Sequence, residues 1–230
     1  MSGGSVLPSA PANPLGFVGG TGPQGRGLAL RFVQAGHPVL IGSRSPEKAK
    51  EAVASLDVDG LDIHGVTNAQ ACRDARIVFV TLPYQAQRET LEGLAEAIGE
   101  KIVVNCVNAV DFDERGPLPG HVEGGSAAEE CARLLPRARI VSAFHDVSAR
   151  RLLRGDEPIT VDALICGDDE DAKREIAHLV SEIPGMYSVD CGALRLSGPI
   201  EHMTPVLLSI NRRYRIHAGL RIDGITRAPT

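Results

Sequence analysis

A glycine-rich loop near the start of the chain constrains the fold more than any other feature. It reads Gly20-Thr21-Gly22-Pro23-Gln24-Gly25, follows the apolar run Leu15–Val18 and opens a helical pattern over residues 23–35. Glycines in such a loop permit a tight turn and let the backbone approach a pyrophosphate, while the helix N-terminus offers free N–H groups to the anion. The order of strand, loop and helix therefore predicts a dinucleotide site. The alternative is a glycine-rich turn that serves the fold alone.

Short apolar runs alternate with helical patterns along the chain after this loop. The runs predict strands at residues 39–42, 77–82, 102–106 and 140–144. Two of the helices begin at recognisable caps, one at Ser45 followed by Pro46 and one at the capping box Ser126-x-x-Glu129. Strands that alternate with single helices form right-handed crossovers in a parallel sheet. We therefore expect an α/β protein with a Rossmann-type, doubly wound, mostly parallel sheet and a small C-terminal extension.

The end of the second predicted strand indicates which dinucleotide would bind. It reads Ile41-Gly42-Ser43-Arg44 and carries no acidic side chain, whereas an NAD site has an Asp or Glu there for the ribose hydroxyls. Arg44 could bind a 2′-phosphate through its guanidinium fork, Ser43 could donate a hydrogen bond, and Lys48 could add a positive charge. These residues predict NADP(H). The alternative is that Arg44 and Lys48 form a solvated basic face.

The predicted elements divide the chain into three parts. Residues 1–14 are rich in Ser, Gly, Ala and Pro, which predicts a flexible tail. Residues 15–150 are expected to form an NADP-binding Rossmann domain. Residues 151–230 are expected to form a smaller C-terminal part, with strands at 162–166 and 187–190, a helical stripe between them and a last helix over 200–217.

Composition excludes several classes of function. The net charge of −5 argues against a general nucleic-acid binder, which needs a basic surface for phosphates. No apolar run reaches the ~18–20 residues of a membrane span. The cysteines are odd in number and include no C-x-x-C pair, so neither a disulfide framework nor a zinc site is expected. We expect no metal, a cytoplasmic location and free, buried thiols at Cys72, Cys106, Cys131, Cys166 and Cys191.

The reacting end of such folds lies beyond the C-terminal ends of the later strands. Three segments are expected there, at residues 81–84, 105–109 and 143–147. His145 follows its strand immediately and is the candidate catalytic residue, acting by orientation or polarisation; the alternative is a histidine bonded to a neighbouring loop. Residues 195–221 contain five arginines and one acid, Glu201. This charge suits an anionic second substrate or salt bridges between subunits.

Several motifs, taken in order, resemble one known family. They are Gly19-Gly20-Thr21-Gly22-Pro23-Gln24-Gly25 with the following helix, Gly42-Ser43-Arg44, Ala143-Phe144-His145, Cys166-Gly167-Asp168-Asp169, Ser181-Glu182-Ile183 and Glu201-His202-Met203-Thr204-Pro205. Together they are similar to the NADPH-dependent coenzyme F420 reductases (F420H2:NADP oxidoreductases). The resemblance implies reversible hydride transfer between NADP(H) and the 8-hydroxy-5-deazaflavin of coenzyme F420. It also implies a homodimer, with the deazaflavin cleft and the dimer contacts formed by C-terminal elements.

The resemblance further implies site residues, position by position. Those that would hold NADP are Thr21, Gly22, Pro23, Gln24, Ser43, Arg44 and Lys48. Those that would line the nicotinamide are Leu82, Pro83, Asn108 and Ala149. Those that would border the deazaflavin are His145, Val147, Leu194 and Ser197.

The chain departs from the family pattern at two places near the expected deazaflavin. Asn108 stands where an apolar residue is expected, and Arg195-Leu196-Ser197-Gly198 stands where a more polar stretch is expected. Two other functions therefore stay open. One is an NADPH-dependent reductase of a flavin, an imine or a carbonyl, which a Lys or Tyr proton donor in the cleft would favour. The other is an NADP sensor without catalytic activity.

Overall fold

The computed structural model describes residues 13–155 and 157–226. Residues 1–12 of the expected tail lie outside the described part of the chain. The strands are β1 (Leu15–Val18), β2 (Val39–Ser43), β3 (Ile63–Thr67), β4 (Ile77–Val80), β5 (Ile102–Asn105), β6 (Val110–Asp113), β7 (Gly116–Pro119), β8 (Arg139–Ser142), β9 (Val161–Gly167) and β10 (Met186–Asp190). The helices are α1 (Pro23–Gln34), α2 (Pro46–Ala54), α3 (Asn68–Asp74), α4 (Gln87–Glu92), α5 (Ala95–Ile98), α6 (Ala127–Leu134), α7 (Ala149–Leu152), α8 (Glu170–Ser181), α9 (Ser197–Glu201) and α10 (Met203–Tyr214).

The main sheet has eight strands in the order β10-β9-β8-β5-β4-β1-β2-β3. The six strands from β3 to β8 in this order run parallel, whereas β9 is antiparallel to β8 and β10 is parallel to β9. This arrangement confirms the expected Rossmann-type, mostly parallel sheet. The strand order reverses between β1 and β4, and ligands of doubly wound sheets bind outside the carboxyl ends of the strands at such a switch point.

Apolar strands covered on both faces explain why the sheet forms. Every residue of β1, β4 and β5 is buried, as expected for parallel strands covered by helices. Four phenylalanines fill the centre of one face, and the rings of Phe17 and Phe79 stack with centroids 4.7 Å apart. Phe32 from α1 and Phe144 after β8 complete this group. The core therefore reaches from the first crossover to the segment that carries His145.

The C-terminal part adds the strands β9 and β10 to this sheet, together with the helices α8, α9 and α10. Helix α8 packs on β9 and β10, and α10 packs on the small antiparallel hairpin of β6 and β7. The single last helix expected over residues 200–217 is two helices, α9 and α10, because Pro205 has no N–H to continue the hydrogen-bond ladder from Glu201. Helix α10 ends at Tyr214, and its C-cap Arg215 has a φ of 55°, in the left-handed region. Within the described residues, no helix has the length and apolar character needed to cross a membrane.

Candidate active site

The glycine loop is closed on one side and open on the other. The Gly20 N–H donates to the Gly42 carbonyl at 3.0 Å, which ties the loop to β2. A Cβ on Gly20 would lie 2.7 Å from Phe17 Cβ, and one on Gly25 would lie 2.6 Å from the Gly20 Cα. A Cβ on Gly22, by contrast, would meet no atom within 4 Å. The loop therefore packs too tightly for side chains at its base, while its outer face is open.

Residues from other strands hold this loop in place. Gly19 has a φ of 67°, and its N–H donates to the Asn68 Oδ1 at 3.1 Å. The Leu82 side chain covers Gly19, because a Cβ there would lie 2.4 Å from Leu82 Cδ2. Pro83 follows Leu82 and is exposed where a 3-10 turn begins. Two predicted nicotinamide residues therefore lie beside the loop, and Asn68 is a supporting residue that the sequence analysis missed.

The end of β2 carries the predicted residues for the 2′-phosphate. Ser43 is buried and its Oγ accepts a hydrogen bond from the Ser45 N–H at 3.3 Å, whereas Arg44 and Lys48 are exposed. Neither cation forms an ion pair with a residue of the described chain. A nearby acid, Glu47, accepts a hydrogen bond from the Ser45 hydroxyl at 2.7 Å, and this bond lowers the pKa of Glu47.

The segment after β8 forms the opposite wall. Phe144 has a φ of 66°, which is rare for a residue with a bulky side chain and indicates backbone strain that the surrounding packing must hold. Its side chain is fully buried, and its carbonyl accepts a hydrogen bond from Gln24 Nε2 at 3.1 Å. The first turn of α1 is thereby joined to the segment that carries His145.

His145 connects three elements of this wall. Its Nε2 lies 2.8 Å from Ser142 Oγ at the end of β8. Its carbonyl accepts a hydrogen bond from Asn108 Nδ2 at 3.2 Å and lies 3.0 Å from the Thr204 hydroxyl of α10. The same hydroxyl lies 3.0 Å from Asn108 Oδ1. Burial lowers the pKa of His145 to about 4, so the imidazole is neutral at pH 7.

A cavity of about 630 Å³ lies along this wall, and Gln24 is the residue of the glycine loop that lines it. Its lining includes residues predicted for both ligands, namely Gln24, Asn108, His145, Val147 and Ala149. Three arginines also line it: Arg150, Arg212 and Arg215. Asp146 is a buried acid in the same lining, and burial raises its pKa to about 7.

The structure does not bring Leu194 and Ser197 into this cavity. The Leu194 N–H donates to Asp168 Oδ1 at 3.0 Å, and the residue lines a second cavity of about 420 Å³ beside Arg133 and Arg195. Ser197 is fully buried and its hydroxyl donates to the Leu194 carbonyl at 2.7 Å. These two residues therefore pack with each other, apart from His145 and Val147.

The residues of the loop fit a dinucleotide. The open face of Gly22 leaves room for a pyrophosphate against the backbone, and Gly22 is also the N-cap of α1 with no side-chain hydrogen bond to its free N–H groups. The strand end that follows carries no acid at position 43 or 44 to repel a phosphate. The described residues contain no group of three or more His, Cys, Asp or Glu side chains placed to hold a metal.

Comparison with known proteins identifies the family. The model of the family "NADP oxidoreductase coenzyme F420-dependent" matches residues 14–109. The F420-dependent NADP reductase of Methanothermobacter thermautotrophicus is 38% identical over 220 residues, which cover 92% of this chain and 95% of the relative. The chain belongs to the family of F420-dependent NADP reductases. This finding confirms the resemblance seen in the sequence motifs.

Two further proteins are similar to this chain, one in its sequence and one in its fold. The F420-dependent NADP reductase of Methanocaldococcus jannaschii is 36% identical over 221 residues, covering 92% of this chain and 98% of the relative. A crystal structure from Arthrobacter sp. FB24, provisionally assigned as an F420-dependent NADP reductase, superposes with a TM-score of 0.77 at 23% identity. It covers 87% of this chain and 94% of its own, and at this identity it supports the fold alone.

Several features of the wall were not predicted from the sequence. Ser142 and Thr204 are hydrogen-bonded to His145, and Phe144 carries the strained backbone before it. Thr204 belongs to a motif that supported the resemblance, but its role at the cavity depends on a contact across 59 residues. Only the position of Ser142 at a strand end could have indicated that it lies near the site.

Proposed function

We infer that this chain transfers a hydride reversibly between NADP(H) and coenzyme F420. The observation that carries the inference is the 38% identity over 92% of the chain to an F420-dependent NADP reductase. The glycine loop has an open outer face at Gly22, and the cavity that begins beside it at Gln24 offers room for a second ligand. The hydride chemistry belongs to the two bound cofactors, and the protein supplies binding, orientation and exclusion of water.

We propose that the glycine loop and the end of β2 hold NADP. The backbone at Thr21, Gly22, Pro23 and Gln24 would contact the pyrophosphate at the N-terminus of α1. The 2′-phosphate would bind Ser43, Arg44 and Lys48 at the end of β2. The nicotinamide would then lie against Leu82, Pro83, Asn108 and Ala149.

We propose that the wall around His145 and Val147 borders the deazaflavin. The buried, neutral imidazole of His145 cannot act as a strong acid at pH 7, so its role is to position the wall through Ser142 and through its own carbonyl. Leu194 and Ser197 support the neighbouring loop through their mutual hydrogen bond. Arg150, Arg212 and Arg215 give the cavity a positive charge that suits an anionic substrate.

The homodimer and the cytoplasmic location are further proposals. Helix α10 exposes Val206 and Leu208, and the hairpin on which it packs exposes Phe112 and Leu118. A second copy of this chain covering these residues would remove them from water. Val206→Arg is expected to yield monomers in light scattering, and unchanged dimers would contradict this interface. The cysteines are all free in the described chain, which fits a reducing compartment.

The test of the function is direct. Pure protein is mixed with NADPH and oxidised F420, and the deazaflavin absorbance is followed with a free flavin as the alternative acceptor. Loss of the oxidised F420 absorbance at a rate proportional to enzyme supports the proposal. NADPH binding without transfer to F420 would reject it, and transfer to the flavin alone would favour the other reductase function.

A further inference from the structure

Two of the five cysteines are neighbours at the carboxyl ends of adjacent strands. Cys166 lies near the end of β9, and Cys191 follows the last residue of β10. The two strands are parallel, with Asp190 opposite Ile165, and the Cys191 N–H donates to the Ile165 carbonyl at 2.8 Å. The next pair in this register is Cys191 opposite Cys166.

The spacing of this pair suits a disulfide. Neighbouring strands lie about 4.7–4.9 Å apart, inside the range of about 4.4–6.8 Å between Cα atoms that a disulfide spans. Both side chains face the same side of the sheet, because Cys166 packs with Leu164 and Ile200 in a small cluster to which Cys191 and Val189 also contribute. A bond between the two sulfurs therefore requires no change of strand register.

The two thiols differ in access and in acidity. Cys166 is fully buried and Cys191 is partly exposed. A hydrogen bond from Cys166 lowers the pKa of Cys191, against burial and the charges of Asp190 and Asp146. The same hydrogen bond, together with burial, raises the pKa of Cys166. Lys173 faces the same end of the strands and donates to the Asp190 carboxylate at 2.9 Å, which offsets one of the two opposing charges.

We propose that Cys191 and Cys166 form a reversible disulfide when the protein meets a peroxide. The Cys191 thiolate attacks hydrogen peroxide, which breaks the O–O bond, gives a sulfenic acid and releases hydroxide. The Cys166 sulfur then attacks the Cys191 sulfur, the S–O bond breaks, and the Cys166 proton leaves with the hydroxide as water. Two thiols are oxidised, and one peroxide is reduced to two waters. An added dithiol returns both cysteines to the thiol state by exchange.

The three other cysteines provide the comparison within the same chain. Cys72, Cys106 and Cys131 are buried, and burial raises the pKa of each thiol. A buried thiol with a raised pKa holds little thiolate and reacts slowly. Oxidation confined to the pair at the strand ends therefore follows from its position.

The experiment uses the full chain with no added cofactor. The protein is treated with hydrogen peroxide, quenched with an alkylating agent under denaturing conditions, and analysed by intact mass and by non-reducing peptide mapping. We expect the loss of two alkylatable thiols, one cross-link between the peptides of Cys166 and Cys191, and full reversal by a dithiol. Oxidation at this pair should be about tenfold faster or more than at the other three cysteines.

Matched variants separate the two roles. Cys191→Ser should abolish the cross-link and leave Cys166 alkylatable, whereas Cys166→Ser should leave a sulfenic acid at Cys191 that a dione reagent traps. Cys166→Ala serves as the second variant if the buried serine impairs folding, which circular dichroism would show. Cys72→Ser should behave as the native chain. A folded protein that forms no Cys166–Cys191 cross-link, or that oxidises first at another cysteine, would overturn the proposal.

Discussion

The glycine loop and the wall around His145 are built in different ways. At the base of the glycine loop, backbone packs directly on backbone, as in the Gly20 N–H to the Gly42 carbonyl, and the Asn68 side chain adds one hydrogen bond. On the opposite wall, side chains join residues far apart in the chain. Asn108 and His145 are 37 residues apart, and Thr204 and Asn108 are 96 residues apart.

This difference distinguishes residues that the fold requires from residues that can be substituted with an effect mainly on the second substrate. A loop whose base admits no Cβ can be altered only with damage to the fold. A wall joined by polar side chains can exchange one hydrogen bond for another and still fold, since a typical net contribution is about 0.5–1.5 kcal/mol. We therefore expect substitutions in the loop to impair the fold or NADP binding strongly, and substitutions in the wall to affect mainly the second substrate.

The largest expected effect is that of Gly25→Ala. Its Cβ would lie 2.6 Å from the Gly20 Cα and 2.8 Å from the Gly20 carbonyl oxygen, and neither backbone atom can move without shifting the loop. We expect a loss of stability of roughly 1–3 kcal/mol, measured by urea denaturation. We also expect a loss of NADPH affinity of about a hundredfold, because the displaced backbone loses a hydrogen bond to the charged pyrophosphate that is worth roughly 1.5–3 kcal/mol.

Gly22→Ala is the matched control for this prediction. The new methyl group would meet no atom within 4 Å, and Gly22 has an ordinary φ of −72°. Its stability should stay within about 0.5 kcal/mol of the native chain, while NADPH binding weakens and F420 binding persists. Equal destabilisation by both substitutions would show that the loop is not packed as described.

The same contrast explains which parts of the fold could be predicted from the sequence. Strands β1, β4 and β5 are continuous apolar runs, and the caps at Ser45 and Ser126 form the expected hydrogen bonds. Strand β3 was missed because only its first residue is buried and Gly65 interrupts it. That glycine is needed because a Cβ there would lie 2.4 Å from the Ala49 carbonyl carbon, a contact that no local pattern reveals.

The candidate site divides in the same way. The glycine loop and Ser43-Arg44 are contiguous segments, so their residue types alone indicate the chemistry they serve. The hairpin of β6 and β7 was missed because its side chains are largely exposed, with Phe112 at 72% exposure, and do not alternate between buried and polar. Thr204 joins His145 only through the fold, across 59 residues, and sequence spacing carries no information on such a contact. Ser142 lies three residues before His145, and only its place at the end of β8 points to the site.

A pH profile tests whether His145 stabilises the wall only as a neutral group. Its pKa in the folded chain is about 4, below the ordinary 6.5, so the unfolded chain takes up a proton first as the pH falls. The contribution of His145 to the free energy of unfolding is present above pH 6.5. It is lost as the pH falls from 6.5 to 4, by about 3 kcal/mol in total. Urea denaturation across this range measures the loss.

The control for this profile is His145→Gln, because other buried groups titrate in the same range. Burial raises the pKa of Asp146 and of Glu201 to about 7, so their effects run in the opposite direction and stability falls as the pH rises towards 7. The difference between the native and variant profiles cancels these two acids. A difference that does not change between about pH 7 and pH 4 would contradict a buried, neutral His145.

Arg44→Ala tests the dinucleotide preference on the NADP side. A charged hydrogen bond contributes roughly 1.5–3 kcal/mol, so NADPH should bind about tenfold more weakly or worse while NADH binding changes little. Fluorescence titration of both nucleotides measures this. Lys50→Ala removes an exposed charge from the following helix α2 and should spare both, whereas an equal loss for NADPH and NADH with Arg44→Ala would place the 2′-phosphate elsewhere.

The smallest effect is expected from the hydrogen bonds between Asn108 and Thr204 in the wall. The Thr204 hydroxyl lies 3.0 Å from both Asn108 Oδ1 and the His145 carbonyl, so each substitution leaves part of the network intact. Asn108→Ala and Thr204→Val should each lower stability by about 1 kcal/mol. Thr204→Val, at a residue outside those proposed for NADP, should raise the KM for F420 a few-fold and leave the KM for NADPH unchanged. Thr204→Ser keeps the hydroxyl and should restore both the stability and the KM for F420.

Because the Asn108 and Thr204 side chains share a hydrogen bond, the double variant should lose less stability than the sum of the two single losses, by about 0.5 kcal/mol or more. Additive losses of stability in the double variant, or an equal rise in the KM for NADPH with Thr204→Val, would mean that this wall is not a separate unit that serves the second substrate.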